Sequence, residues 1–232
     1  MTPKFSIILS TYNEAYFIEK TLKAIFNNLT DVEVIIVDDS STDDTCKIIK
    51  DFNDPRVKLL ERKTRGFASA FLLGLINTKG EIIGWFDSNM PELFTKVPLM
   101  ISELEKNELV ILSRYIPGGK DERSRLRVLS SRILNTICRA ILGNDIKDYT
   151  SGVFLMKREK LTLGVPICYG HGEFFIEFLF KLKKNGIKMC ELPYTHPKDM
   201  ENMSKTAPNI IRFFRLGFGY IVRILITRIR RN

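Results

Sequence analysis

Four short polar clusters carry residue types that bind cations and phosphates. Asp87 and Asn89 stand two apart, directly after the apolar run EIIGWF (81–86). On an extended chain such residues point to the same side. A hard divalent cation takes oxygen ligands, and a carboxamide oxygen is acceptable to it. The pair could therefore hold a cation together with phosphate oxygens, or it could simply be a turn. Asp38 and Asp39 follow VEVIIV (32–37). Adjacent carboxylates at a buried strand end are costly unless a ligand or donors meet them. Ser41 and Asp43, just beyond, are also residue types that cap helices. Ser113-Arg114 closes ELVILS (108–113), and a guanidinium matches phosphate with two parallel hydrogen bonds. Thr11-Tyr12-Asn13-Glu14 closes KFSIILS (4–10).

Something must bring these clusters together. Strand-like runs at 4–10, 32–39, 56–62, 81–87 and 108–115 alternate with helical patterns at 11–29, 41–52 and 66–78. That alternation predicts βαβ units and a mostly parallel sheet. Ligands of such sheets sit beyond the carboxyl ends of the strands, where all four clusters fall. Further on, 117–125 reads as a turn-rich charged loop and 127–143 as a helix. A polar loop with a short strand (147–159), a helix (171–186) and a last strand (187–196) follow. Within 127–143, Arg127, Ser131 and Asn135 share one face at i, i+4 and i+8. A solvated stripe is the simpler reading of that row and a phosphate site the alternative; Leu129, Ile133, Ile137 and Ile141 are expected toward the core.

The C-terminal segment places Lys205, Arg212, Arg215, Arg223 and Arg230 on one narrow helical face, with Phe213, Phe214, Ile221 and Leu225 over the rest. Its apolar stretches are too short to span a bilayer. It reads as a basic amphipathic helix lying on a membrane through its arginines, interrupted near Gly217 and Gly219. The alternative packs the helix on the protein with its arginines in water.

Composition sets wide limits. The chain has 232 residues, 44% hydrophobic and 27% charged, with formal net charge +9, so an anionic partner is expected. The first apolar run is too short for a signal peptide, which makes the cytosol the expected compartment. Cys46, Cys138, Cys168 and Cys190 lack metal-like spacing and read as small buried hydrophobes. His171 and His196 have no nucleophile near them in sequence.

Nine stretches in order resemble the family 2 glycosyltransferases, specifically the polyprenol-phosphate group typified by dolichol-phosphate mannose synthase. They are STYNE (10–14), VDDSSTDDT (37–45), RGFASAFLLG (65–74), FDSN (86–89), LSRYIPGG (112–119), LSSRILN (129–135), DYTSGVFLMKRE (148–159), GHGEFFIE (170–177) and MSKT (203–206). The resemblance implies a GT-A fold, a Rossmann-like α/β domain over 1–206, with 207–232 as a membrane-associating helical segment. It implies a nucleotide-sugar held by Thr11, Tyr12, Glu14, Asp38, Asp39, Ser88 and Lys205. Asp87 and Asn89 would hold Mg2+ or Mn2+ and the diphosphate, and Arg114 would contact phosphate; these three form the implied catalytic set. Arg127 and Ser131 would hold the phosphate of a dolichyl- or undecaprenyl-type acceptor, and Ser204 with Lys205 would lie on a late loop near the site. The implied activity is inverting sugar transfer to polyprenyl phosphate at the cytosolic membrane face. A saccharide or lipid-linked sugar acceptor, or a non-catalytic nucleotide-sugar binder, are the alternatives. The resemblance admits a membrane partner subunit and makes nucleic acid an unlikely partner. Two departures stand out. The usual D-x-D followed by Gln reads here as Asp87, Asn89 and Pro91, and the usual Arg five residues before Ser204 is Asp199.

Overall fold

The computed structural model describes residues 3–166, 170–198 and 210–230, with backbone alone for 210–216. Cys168, Asp199, Ser204 and Lys205 therefore lie outside the described residues, as does the expected boundary at 206. The chain runs β1 (Phe5–Thr11), α1 (Ile18–Asn28), β2 (Val32–Asp38), α2 (Thr45–Asp51), β3 (Val57–Glu61), α3 (Phe67–Ile76) and β4 (Ile82–Asp87). After a 3-10 segment (Pro91–Lys96) come α4 (Val97–Leu104), β5 (Leu109–Ser113), β6 (Lys120–Asp121), α5 (Arg125–Leu142) and β7 (Phe154–Lys157). α6 (Glu173–Lys184), β8 (Met189–Pro193), β9 (Thr195–His196) and α7 (Ile210–Ile229) complete it. The apolar pattern places the early elements well. It does not mark α4, and it starts α1 too early, because Asn13 takes a left-handed backbone (φ 55°) that a helix cannot continue through.

Seven strands form one sheet in the order β3-β2-β1-β4-β7-β5-β8, with β6 and β9 as a separate pair. β1, β2, β3 and β4 are mutually parallel, and β5 parallels β8. β7 runs antiparallel between β4 and β5, so those two strands share a direction. The strands read as nearly unbroken apolar runs because both sheet faces are covered. Ile8, Trp85 and Ile111 pack on one side against α3, α5, α6 and Ile224 of α7. Ile7, Leu9, Val34 and Ile36 pack on the other against α1, α2 and α4.

Two sequence expectations are corrected in the C-terminal half. The helix α7 runs through Gly217 and Gly219 without a break. Its described arginines do not face outward as a set, since Arg223 is 7% exposed. Arg223 donates to the buried Glu177 of α6 at 2.7 Å, and Arg230 reaches the same carboxylate at 3.1 Å. Lys181 adds a third cation at 3.0 Å. A buried carboxylate needs such partners, and α7 docks by supplying Arg223, with Arg230 just past its last turn. Phe218, Ile221, Val222, Leu225, Ile226 and Ile229 are left exposed. Likewise on α5, Leu129 and Ile133 face solvent, together with Leu126, whereas Asn135 is buried. No helix among the described residues is long and apolar enough to cross a membrane. Cys138 is buried while Cys46 and Cys190 are half-buried; all three are free, and burial pushes their thiols up to about 12, 12 and 11.

Candidate active site

The register aligns the polar clusters on one edge. Thr11 is opposite Asp38, and Ser10 is opposite Asp87. Trp85 and Ile111 both pair with Phe154, so Ser113 stands level with Asp87, two residues further along each strand. The convergence expected from strand order is therefore present.

The β1 and β2 ends are tied to one another. Asp38 accepts from the Thr11 hydroxyl at 2.7 Å and from the Ser41 hydroxyl and backbone N–H at 2.5 and 2.8 Å. Ser41 Oγ in turn accepts from the Asn13 N–H at 2.9 Å, and Thr45 Oγ1 accepts from the Glu14 N–H at 2.7 Å. Asp43 accepts from the N–H groups of Ala15 and Thr45. Ser41 and Asp43 thus knit two loops, with only Asp43 also serving the start of α2. Asp39 accepts from the Arg62 guanidinium and, at 2.9 Å, from the Gly66 N–H. Donors within the protein therefore meet the cost of burying Asp38 and Asp39, and that cost is no longer an argument for a ligand. Thr11 is 2% exposed and Glu14 6%, so both shape the floor of the site. Ser88 is also turned inward: its hydroxyl donates to the Ser10 carbonyl, and its own carbonyl accepts from Thr21. Tyr12 remains half-buried under the Arg65 guanidinium, 3.6 Å from its ring. The strand-end reading missed Arg62 and Arg65; the basic RKTR after β3 was the signal for both, and Arg65 also opens the RGFASAFLLG stretch.

The β5 end holds a buried charge ladder. Arg114 is 4% exposed, and its Nε and Nη2 donate to Asp148 at 2.8 and 2.7 Å. Nη2 also reaches Thr150, and the Arg114 backbone N–H donates to Asp148 at 3.0 Å. Asp121 lies 3.6 Å from Arg114 and accepts both arms of Arg123, at 2.8 and 2.6 Å, plus the Tyr115 hydroxyl at 3.0 Å. The turn at Gly118-Gly119 makes this possible. Gly118 has φ +87°, and a Cβ on Gly119 would sit 2.7 Å from the Ser113 carbonyl oxygen. Burial opposes ionisation of Asp148, but Arg114 outweighs it and holds the carboxyl below its usual range. Asp121 is likewise held low, Arg123 and Arg114 overcoming desolvation. Of the Arg114 arms expected to meet phosphate, Nε and Nη2 are taken by Asp148 and Thr150, while Nη1 lies 3.6 Å from Asp121. Asp121, Arg123, Asp148 and Thr150 were not singled out in the sequence; the charged KDER and the DYTS loop were their signals.

Asp87 differs from these carboxylates. No hydrogen bond or ion pair among the described residues holds it. Burial pushes its pKa up to about 6, and the charges of Arg114 and Arg123 only partly offset that. With Asp121 and Asp148 also ionised and Glu92 acting on Asp87, carboxylates outnumber the Arg114 and Arg123 guanidiniums around this group. A divalent cation would offset that excess. Asn89 beside it is exposed. Among the described residues no three His, Cys, Asp or Glu side chains gather as a self-sufficient metal centre.

The polar stripe of α5 faces this edge rather than water. Asn135 donates to Thr150 Oγ1 at 2.8 Å and accepts from the Tyr149 N–H at 2.7 Å. Ser131 Oγ lies 3.3 Å from Thr150 Oγ1. Arg127 is half-buried one turn earlier on the same face. The solvated-stripe reading is therefore corrected: Thr150 links Arg114 to Ser131 and Asn135.

The glycosyl transferase family 2 model matches residues 6–163. A dolichol-phosphate mannosyltransferase of Pyrococcus furiosus is 30% identical over 200 residues, covering 83% of this chain and 56% of that protein. This chain thus spans little more than half the length of that relative. An undecaprenyl-phosphate mannosyltransferase of Micrococcus luteus is 26% identical and is covered to 88%, as is this chain. A crystal structure of glucosyl-3-phosphoglycerate synthase from Mycobacterium tuberculosis, with Mn2+, uridine diphosphate and phosphoglyceric acid, superposes with TM-score 0.73. It is 19% identical, over 99% of this chain and 80% of that one. At that identity the likeness carries the fold, which is GT-A.

Proposed function

Because the chain belongs to glycosyl transferase family 2, we propose that it transfers a sugar from a nucleotide-sugar to a polyprenyl phosphate, with inversion. The carrying observation is Asp87: a half-buried carboxylate with no hydrogen bond or ion pair among the described residues, at the strand edge where the β1, β2 and β5 loops meet. The similarity to two polyprenol-linked mannosyltransferases supports the acceptor class. A phosphate oxygen of the acceptor attacks the anomeric carbon as the bond to the nucleoside diphosphate breaks. The acceptor is already an anion, so no strong general base is needed, and none of the buried carboxylates has to act as one. Asp87 and Asn89 would hold Mg2+ or Mn2+, with the remaining ligands from the diphosphate; bound there, the cation would offset charge on the leaving group. Arg114 and Arg123 contribute fixed positive field at Asp87. Tyr12 with Arg65 flanks the nucleotide side, and Arg127 and Ser131 orient the acceptor phosphate. By the family resemblance Lys205, outside the described residues, would serve the nucleotide-sugar.

Membrane association follows from the apolar rather than the basic face. The outward row on α7 and Leu126, Leu129 and Ile133 of the neighbouring α5 offer hydrocarbon-compatible surface beside the acceptor stripe. The protein would lie peripherally on the cytosolic leaflet, with 207–232 as the associating segment and 1–206 as the catalytic domain.

The test is an incubation of purified protein with polyprenyl phosphate and a panel of labelled nucleotide-sugars, with Mg2+, with Mn2+ and with EDTA. Lipid-extractable label that requires metal is the expected result. Label that survives EDTA removes the cation from the reading, and no label under any condition while nucleotide still binds removes the acceptor class.

A further inference from the structure

Thr150 Oγ1 is the meeting point of four polar groups. Arg114 Nη2 and Asn135 Nδ2 each approach it at 2.8 Å. The first can only donate, because a guanidinium has no acceptor. The second is fixed by the far side of its amide. Asn135 Oδ1 accepts from the Tyr149 backbone N–H at 2.7 Å, which turns the nitrogen toward Thr150. The other hydrogen of that nitrogen goes to the Ser131 carbonyl at 2.9 Å. A hydroxyl oxygen accepts two hydrogen bonds and donates one. Both acceptor positions of Thr150 are therefore filled. Its own hydrogen has two acceptors in reach, Asp148 Oδ1 at 3.2 Å and Ser131 Oγ at 3.3 Å. Whichever takes it, the Ser131 hydroxyl cannot donate to Thr150.

We propose that Thr150 is a positioning residue for the acceptor phosphate: its filled oxygen turns the hydrogen of Ser131 away from the protein network and toward an oxygen of the incoming anion. Ser131 is half-buried, one turn after Arg127 on the polar stripe of α5. The Tyr115 hydroxyl also lies beside it, but gives its own hydrogen to Asp121 at 3.0 Å. A charged phosphate oxygen is a stronger acceptor than a neutral phenol, so the ligand takes the Ser131 hydrogen. Arg114, whose Nε and Nη2 are used inside the protein, acts on the acceptor through Thr150. The inference rests on the reading of Ser131 as a contact of the acceptor phosphate, and adds the residue that sets the direction of its hydroxyl.

Thr150→Val removes the oxygen and keeps the shape. Steady-state kinetics on the full chain, with labelled nucleotide-sugar and with undecaprenyl or dolichyl phosphate, give kcat and both KM values. The expected result is a KM for the lipid phosphate raised about tenfold, as for one hydrogen bond to a charged group, with kcat and the nucleotide-sugar KM unchanged. Thr150→Ser, which keeps the oxygen, restores the lipid KM. Ser131→Ala raises the same KM by a similar factor, and Thr150→Val adds nothing in the Ser131→Ala background, because the one residue acts through the other. An unchanged lipid KM in Thr150→Val, an equal rise in both KM values, or a further rise in the double variant would overturn the role. If Thr150→Val does not fold, an unchanged lipid KM in Ser131→Ala overturns it, since Ser131 then gives the acceptor no hydrogen. If the unmutated protein transfers no sugar to either lipid phosphate, the acceptor reading fails and this role with it; transfer whose lipid KM is the same in Thr150→Val removes Thr150 alone.

Discussion

Asp148→Ala tests the charge ladder most directly. Asp148 is fully buried and accepts three hydrogen bonds from Arg114, through its backbone N–H, Nε and Nη2, and two from Thr150. Its removal leaves a guanidinium at 4% exposure with Asp121, 3.6 Å away and already shared with Arg123, as its nearest carboxylate. Breaking one side of a buried pair costs about 3–5 kcal/mol. For a chain of this size that is a fall of roughly 6–20 °C in melting temperature, at about 2–4 °C per kcal/mol. Calorimetry or urea denaturation reads the loss. Replacing both partners, Arg114→Met with Asp148→Leu, removes the uncompensated charge and should recover most of it. The pH dependence gives a second reading. Asp148 is held below the usual carboxylate range, so its contribution is present above its unfolded pKa of about 4 and is lost as pH falls toward its folded value. Asp148→Ala should therefore flatten the acid limb of the stability curve. A loss under about 1 kcal/mol, or a double variant no better than the single one, would refute the buried-pair reasoning.

Other consequences are measurable. Asp87, raised by burial to about 6, must lose a proton to bind a cation, so Mn2+ affinity should fall about tenfold per pH unit below that value and be flat above it. The same group opposes folding as pH rises: its contribution is greatest below about 4 and is lost through 6, so Asp87→Asn should stabilise the unliganded protein at pH 7.5, read by thermal melts. Leu225→Asp with Ile229→Asp should cost roughly 3 kcal/mol of bilayer affinity, about a hundredfold in vesicle sedimentation. Arg223→Glu should instead lower the melting temperature, because it sets a second carboxylate against Glu177; release from vesicles with no loss of stability would contradict the observed orientation of α7. Arg127→Ala should lower kcat/KM for polyprenyl phosphate about 10–100-fold while leaving nucleotide binding intact, as expected for loss of a charged hydrogen bond.

The parallel sheet was legible because its strands are buried on both faces and therefore appear as apolar runs, VEVIIV and ELVILS among them. The convergence of Thr11, Asp38, Asp87 and Ser113 on one edge followed from strand direction alone. The partners of those residues were not legible. Asp38 is answered by Thr11, 27 residues away, and Arg114 by Asp148, 34 away. Ile137 and Ile141 of α5 pack on the core as expected, but Leu129 and Ile133 on α5 and Arg223 on α7 were read with the wrong side inward, for one reason. A polar stripe pairs inward when a buried acceptor awaits it, as Glu177 awaits Arg223 and the Tyr149–Thr150 loop awaits Asn135.

Local pattern thus determined the elements, their alternation, the ligand-binding edge and the position of Asp87, because burial periodicity and strand direction are properties of short segments. Which charges are free to meet a ligand was decided only by tertiary structure. Ion pairing depends on donors and acceptors brought together from distant segments, and it ties down Arg114, Asp38 and Asp39 while leaving Asp87 without a protein partner among the described residues.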